Sequence, residues 1–336
     1  IIIKYTIKNE EKYILILERL LSEFFGFYKF RQGQIEILIN TLNGNNTIGI
    51  LTTSGGKSLI YQYASLMQPK ITIVVDPIVS LINDQYSKIV NQFDITRVKK
   101  ITYENSLSPR YIIEQIYDDF PILVFSTPER FQDALFRDWL IAQSINSNIG
   151  LIVLDEVHCL SEWGHDFRIA YLMLSHTINT YCSNFQYLGL TATAAINVIK
   201  DLQVELGIYE KENIVFSRKL QRDNLTFRIY NSKSYVEMND FLSNILERNY
   251  FNENYTFKLP NDDPKGTIVF FKEKDTLMTK YYEFSSKYPN EIAFYYGDNK
   301  EQQDAFMNNN KTLLFSTKAF GMGIDKPNVR ATVHFG

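Results

Sequence analysis

Thr47-Ile48-Gly49-Ile50-Leu51-Thr52-Thr53-Ser54-Gly55-Gly56-Lys57-Ser58 sets an apolar run, a stretch of small residues and a lysine in that order. About a hundred residues on, Leu151-Ile152-Val153-Leu154-Asp155-Glu156-Val157-His158 passes from aliphatic residues straight into two carboxylates. The first stretch reads as a strand over 47–51, a loop over 52–56 and a helix opening near Lys57. Backbone N–H groups of such a loop converge on phosphate oxygens, helped by the positive end of the helix. In that cradle Thr53, Ser54, Gly55 and Gly56 line the phosphates, Lys57 reaches the β- and γ-phosphates of a nucleoside triphosphate, and the Ser58 hydroxyl holds Mg²⁺. Leu51 stands where the strict loop pattern has glycine, and a turn carrying a surface lysine is the competing reading of this half alone. The second stretch decides between them. Buried carboxylates are rare unless paired or bound to metal, so Asp155 is assigned to Mg²⁺ and Glu156 to orienting or deprotonating the attacking water.

The rest of the composition agrees with a globular chain. Its 336 residues suggest two domains of ordinary size, and 45% hydrophobic with 22% charged residues is the balance of a chain with solvated surfaces. No run approaches the roughly 20 apolar residues of a membrane span, and no secretory signal stands at the start. Cys159 and Cys182 are too few for a disulfide framework or a zinc site. The chain therefore reads as intracellular, not secreted. A net charge of −3 means that a nucleic-acid partner would need a local basic channel. The chain opens on Ile1 and stops at Gly336 after an apolar run, so both ends are expected to be cut from something longer.

Short apolar runs alternate with longer helical patterns, the signature of parallel βαβ units. In the first half the strands fall at 47–51, 71–75, 122–125, 151–154 and 187–190, with a helix over 195–206 stopped by Gly207. A charged connection follows, and the alternation restarts with strands at 267–271, 292–296, 312–315 and 331–335. This predicts an α/β protein of two tandem doubly wound parallel-sheet domains, with sites at the carboxyl ends of the strands. The boundaries are 1–216 for the first domain, 217–235 for a linker and 236–336 for a second domain lacking its C-terminal part. Residues 252–265 read as an inserted loop, and Asn308-Asn309-Asn310 as a turn.

Further motifs occur in a fixed order. They are Phe30-Arg31-Gln32-Gly33-Gln34, Asp76-Pro77-Ile78-Val79-Ser80-Leu81-Ile82-Asn83-Asp84-Gln85, Thr127-Pro128-Glu129-Arg130, His158 to Arg168 with Trp163, His165 and Phe167, Leu190-Thr191-Ala192-Thr193-Ala194, and Ala319 to Arg330. Together they resemble the helicase core of the RecQ family, within helicase superfamily 2, from about Phe24 to Gly336. The resemblance implies two RecA-like domains, ATP and Mg²⁺ as cofactors, and single-stranded or partly duplex DNA as partner. It implies work in the bacterial nucleoid or the nucleus; repair, recombination and defence against foreign DNA would all use such an engine, and the sequence does not choose among them.

Each motif has a chemistry of its own. A Gln amide can meet the adjacent donor and acceptor of an adenine edge, which suits Gln34, with Phe27 or Phe30 to stack; the resemblance favours Phe27 and adds Arg31. Trp163 and Phe167, crowded with His165, Gly164 and Arg168 off any periodic face, suit base stacking at ~1–3 kcal/mol each, against the plainer reading that they anchor the loop. By resemblance this loop relays DNA contact to Glu156 through His158. Thr191 and Thr193 are placed to bridge the acidic pair and the second domain. Gly321 and Gly323 allow close backbone approach, and Asp325 and Lys326 can touch nucleotide or phosphate backbone. Ser80, Gln85, Thr127 and Arg130 carry a DNA-contact role by resemblance only, and helix capping explains Ser80 or Thr127 equally well.

The resemblance implies a DNA helicase or translocase moving 3′ to 5′ on single-stranded DNA as the cleft between its domains opens and closes. The family's arginine-finger motif is expected after Val333-His334-Phe335, beyond the end of this sequence. Two rivals stay open: a nucleotide-gated DNA-binding or scaffold subunit with weak hydrolysis, and an RNA helicase of the same superfamily.

Overall fold

A computed structural model of the chain describes residues 10–53, 55–102, 122–161, 169–192, 195–217, 225–249, 266–297, 299–318, 320 and 326–336. The chain divides into two compact units, Ile1–Arg222 and Asp223–Gly336, and the division falls inside the 217–235 span read as a linker.

The first unit is built on seven parallel strands: β1 Thr47–Ile50, β2 Ile71–Val75, β3 Val98–Ile101, β4 Leu123–Ser126, β5 Ile149–Asp155, β6 Gln186–Thr191 and β7 Ile214–Phe216. They lie in the order β3-β4-β2-β5-β6-β1-β7. Residues alternate between the two faces of each strand, and both faces are apolar. Ile73, Val75, Ile152 and Leu154 meet Trp139, Leu140, Ile178 and Leu202 on one side. Val74, Leu151 and Val153 meet Leu21, Ile37, Tyr61 and Ile82 on the other. Helices on both faces of a parallel sheet explain why these strands read as continuous apolar runs.

Two strands escape the sequence pattern, β3 and β7, and both are edge strands. Lys99 and Lys100 interrupt β3, and β7 is three residues long with Phe216 exposed. Charge and brevity suit an edge, where only one side is paired. The helix expected over 195–206 runs from Ile196 to Leu206 and ends at Gly207, whose φ of +64° is left-handed.

The second unit holds β8 Gly266–Phe271, β9 Ile292–Tyr295, β10 Leu313–Ser316 and β11 Val329–Phe335 in the order β11-β8-β10-β9, again all parallel. Val269, Phe271, Leu313 and Phe315 pack on helices Tyr235–Asn249 and Lys274–Lys287. The opposite face meets Phe306 and Phe320. The inserted loop at 252–265 lies outside the described residues. Asn308 to Asn310 form the expected turn, with Asn309 at a φ of +62°.

The sheet of the first unit tolerates no added bulk beneath the phosphate loop. A Cβ on Gly49 would lie 2.5 Å from Ile37 Cδ1 and 2.9 Å from Leu190 Cδ2. Gly49→Ala is expected to destabilise by about 1–3 kcal/mol through overpacking, read as a lower midpoint in urea. An unchanged midpoint would contradict the close approach of helix Gln34–Leu42 to the sheet.

Candidate functional site

The phosphate loop leaves β1 at Leu51, whose N–H donates to the Thr191 carbonyl at the end of β6 (3.0 Å). A turn closes where the Gly55 N–H donates to the Thr52 carbonyl (2.8 Å). Gly56 then adopts a left-handed φ of +75° and opens helix Lys57–Met67 with no side chain capping it. That start leaves backbone N–H groups for an anion. Gly56 admits no side chain, because a Cβ there would lie 2.3 Å from the Gln34 amide nitrogen.

Gln34 is buried, and both of its amide N–H groups are engaged. Its nitrogen donates to the carbonyls of Gly55 (3.1 Å) and Gly56 (2.9 Å), and its oxygen accepts from the Arg31 N–H (2.7 Å). The adenine contact assigned to Gln34 thus requires the amide to exchange partners; here it fixes the shape of the loop. Phe30 packs edge-on against Tyr63, with centroids 5.5 Å apart, whereas Phe27 is 45% exposed. Of the two candidate stacking rings, Phe27 is the one left at the surface.

At the carboxyl ends of the central strands the charges meet. Lys57 Nζ is ion-paired to Glu156 Oε1 and lies 3.8 Å from Asp155 Oδ1. Glu156 takes a left-handed φ of +49°, uncommon for a residue with a side chain and a place where strain is held at a site. Its second oxygen is 3.3 Å from His158 Nδ1, and the same ring nitrogen lies 2.9 Å from Thr191 Oγ1. Lys57, Glu156, His158 and Thr191 therefore form one connected network across the ends of β1, β5 and β6. Burial alone would raise the Glu156 pKa, but the hydrogen bond from His158 and the charge of Lys57 outweigh it and bring the group to about 2. Asp155 is buried, and its pKa moves the other way: burial raises it, with Glu156 adding to the rise, and Lys57 only partly compensates.

A third carboxylate, Asp76, takes part, although no role was assigned to it from the sequence. Val75 pairs with Leu154 across β2 and β5, so Asp76 stands beside Asp155. By strand alternation both point to the face that carries Tyr61. Asp76 is buried, accepts from the Ile78 N–H at 2.8 Å, and is raised well above the usual carboxylate range by burial and then by the charge of Asp155. The Tyr61 phenol hydrogen-bonds with Ser58 and is pushed up by burial and by both aspartates. The missed signal was available: Asp76 follows an apolar run just as Asp155 does.

Outside this cluster the assignments divide. Ser80 is exposed in the first turn of helix Val79–Phe93, and the Gln85 carbonyl oxygen accepts from Gln62 of the phosphate-loop helix at 3.1 Å. Thr127 and Arg130, assigned to DNA contact by resemblance, are both buried. The Arg130 guanidinium donates to the Thr102 carbonyl at 3.0 and 2.7 Å and pairs with Asp133, while the Thr127 hydroxyl is buried with no hydrogen-bond partner. Lys326 binds the Met307 carbonyl at 3.2 Å and the Asn309 side chain within the second unit. Ser54, Trp163, His165, Phe167, Arg168, Thr193, Gly323 and Asp325 lie outside the described residues.

The residues present fit a nucleotide with a divalent cation. An uncapped helix start offers N–H groups, Ser58 a hydroxyl, and three carboxylates face one ammonium, an excess of negative charge that such a cation neutralises. Among the described residues no group of three or more His, Cys, Asp or Glu is placed to cage a metal by itself.

Comparison with known proteins agrees with this geometry. The family model described as "DEAD/DEAH box helicase" matches residues 31–202. The chain is 32% identical over 329 residues to the ATP-dependent DNA helicase RecQ of Bacillus subtilis, covering 94% of this chain and 51% of that protein. It is 30% identical over 331 residues to the ATP-dependent DNA helicase Q1 of Rattus norvegicus, covering 95% and 50%. The chain thus spans about half the length of these relatives. Among solved structures, Mss116p bound to single-stranded RNA and AMP-PNP is similar in fold, with a TM-score of 0.68 and 18% identity over 98% of this chain and 68% of that one.

The charge balance has a measurable consequence without nucleotide. Asp76 holds its proton more tightly folded than unfolded, so its contribution to stability is lost as pH rises from the ordinary aspartate value near about 4. Asn at this position keeps an acceptor for Ile78 and cannot ionise. Asp76→Asn is therefore expected to melt above the parent in the absence of nucleotide, by a larger margin at pH 8 than at pH 5. A lower melting temperature at both values would show that Asp155, Glu156 and Lys57 do not repel an ionised Asp76 on balance.

Proposed function

The chain belongs to the DEAD/DEAH box helicase family, and on that premise we propose that it is the ATP-hydrolysing core of a RecQ-type DNA helicase or translocase, moving 3′ to 5′ along single-stranded DNA. The observation that carries the reading is the connected network from Lys57 through Glu156 and His158 to Thr191. It ties a phosphate-binding lysine to a candidate water-orienting carboxylate and on to the end of the neighbouring strand.

In this reading the loop Thr52 to Gly56 and the N–H groups at the start of the following helix bind the phosphates. Ser58 and Asp155 would hold Mg²⁺, which when bound offsets charge on the phosphates and orients them. The ion pair to Glu156 occupies Lys57, so phosphate and carboxylate compete for the same ammonium. Once Lys57 turns to phosphate, Glu156 loses a charge that holds its pKa near 2 and becomes a better base toward water. His158 keeps its grip on the other oxygen and holds the carboxylate in position. Thr191, bonded to His158 by its hydroxyl and to Leu51 by its carbonyl, links that carboxylate to the phosphate loop.

Contact with the strand is assigned to Ser80 and Gln85 on helix Val79–Phe93 and, from the sequence, to Trp163, His165, Phe167 and Arg168. Gln85 reaches helix Lys57–Met67 through Gln62, so the helix proposed to meet DNA touches the one that opens at the phosphates. Thr193, Gly323 and Asp325 keep their coupling and nucleotide assignments from the sequence. The names of the relatives favour DNA over RNA; the likeness to an RNA-bound protein at 18% identity speaks to fold alone. A protein with this activity works where DNA is kept, in the nucleoid or the nucleus.

The test is phosphate release with and without single-stranded DNA. Stimulation by DNA over RNA is expected, and no turnover under either condition would overturn the reading. Lys57→Ala is expected to lower turnover by about 10²-fold or more, as when a preorganised charge at a reacting group is lost; retained activity would place the phosphate site elsewhere. Trp163→Ala is expected to bind ATP like the parent while losing stimulation by DNA. Equal stimulation in both would remove the loop from the relay.

A further inference from the structure

Asp76 is an unusual residue to find at the end of a buried strand. It is 3% exposed and carries an acid, and its hydrogen bond to the Ile78 N–H satisfies part of only one carboxylate oxygen. No lysine or arginine nitrogen among the described residues forms an ion pair with it. The strand register sets it beside Asp155, on the face where Tyr61 hydrogen-bonds with Ser58. A buried carboxylate next to a second one is unfavourable unless something positive belongs between them or near them. The nearby cation, Lys57, is already engaged by Glu156.

We propose that Asp76 is a positioning residue of the magnesium–nucleotide site, its carboxylate accepting a hydrogen bond from a metal-bound water while Asp155 and Ser58 hold the ion. This rests on the ATP-binding reading above and adds a residue to it. Mg²⁺ keeps several of its waters in protein sites, and these need oriented acceptors. Outer partners of this kind typically change metal affinity by about 10–100-fold. The same carboxylate fixes the Ile78 N–H at the start of helix Val79–Phe93, so the metal site and the helix bearing Ser80 and Gln85 share one side chain.

The test measures binding of a fluorescent ADP analogue by the chain, with Mg²⁺ titrated at fixed nucleotide and a parallel series in EDTA. Asp76→Asn is expected to require about tenfold or more Mg²⁺ for half-maximal binding, while its affinity in EDTA equals or exceeds that of the parent. An unchanged Mg²⁺ midpoint overturns the proposal, and so does a loss of affinity that is equal with and without Mg²⁺, which marks a purely structural role. If Asp76→Asn does not fold, Asp76→Ser, which also keeps an acceptor, is read by the same two outcomes. A parent that binds no nucleotide at any Mg²⁺ concentration defeats the ATP-binding reading itself, a result distinct from either.

Discussion

One ammonium allows three carboxylates to share the end of a parallel sheet. Lys57, with 14% of its side chain exposed, sits against Glu156 and near Asp155, with Asp76 in register beside them. Two charges a few ångströms apart interact far more strongly where water is excluded than in bulk. Like charges repel more strongly there for the same reason. The outcome is a division of labour among chemically similar groups. Glu156, paired and hydrogen-bonded, is held firmly ionised, while Asp155 and Asp76 are pushed toward the protonated form. Environments that drive the pKa values of neighbouring acids apart are a mark of sites that handle charge.

The sheet makes this possible by counting. Alternation along β2 and β5 buries Val75 and Leu154 on one face and turns the next residues, Asp76 and Asp155, to the other. That other face carries the helix that follows the phosphate loop. A one-residue slip of either strand would send its aspartate into the apolar layer around Trp139 and Leu140. The loop is set with similar strictness: Gly56 must be glycine because its neighbour is the Gln34 amide, and that amide is held by the two glycine carbonyls it supports. Order in the loop, the position of Lys57 and the ionisation of Glu156 are thus links of one chain of cause.

The central strands were legible because burial on both faces leaves uninterrupted Ile, Val and Leu, and nothing else in a polar chain looks like that. β3 and β7 were not, since an edge strand needs only half the pattern. The phosphate loop and acidic pair were legible because backbone geometry demands glycine and because charge at a buried strand end has few explanations. Asp76 satisfied the same rule and went unassigned, standing at the head of a motif read for nucleic acid. Arg130 and Lys326 are harder to read from spacing. A basic side chain in a loop motif has two uses, toward a ligand or toward carbonyls of neighbouring segments, and spacing does not separate them. Arg130 serves the Thr102 carbonyl and Lys326 the Met307 carbonyl.

Groups placed for a ligand can weigh against the stability of the empty site. Burial and mutual charge disfavour the ionised forms of Asp76 and Asp155 side by side in the nucleotide-free chain. Whatever positive charge the site takes up relieves that repulsion, and anything that binds only the folded state raises its stability by mass action. Binding and folding are coupled through the same few carboxylates. The coupling also reaches outward, since Asp76 fixes the first N–H before helix Val79–Phe93 and Gln85 of that helix holds Gln62 on helix Lys57–Met67. The segment that carries Ser80 and Gln85 is thus joined by one hydrogen bond to the acidic sheet end and by another to the helix that opens at the phosphate loop.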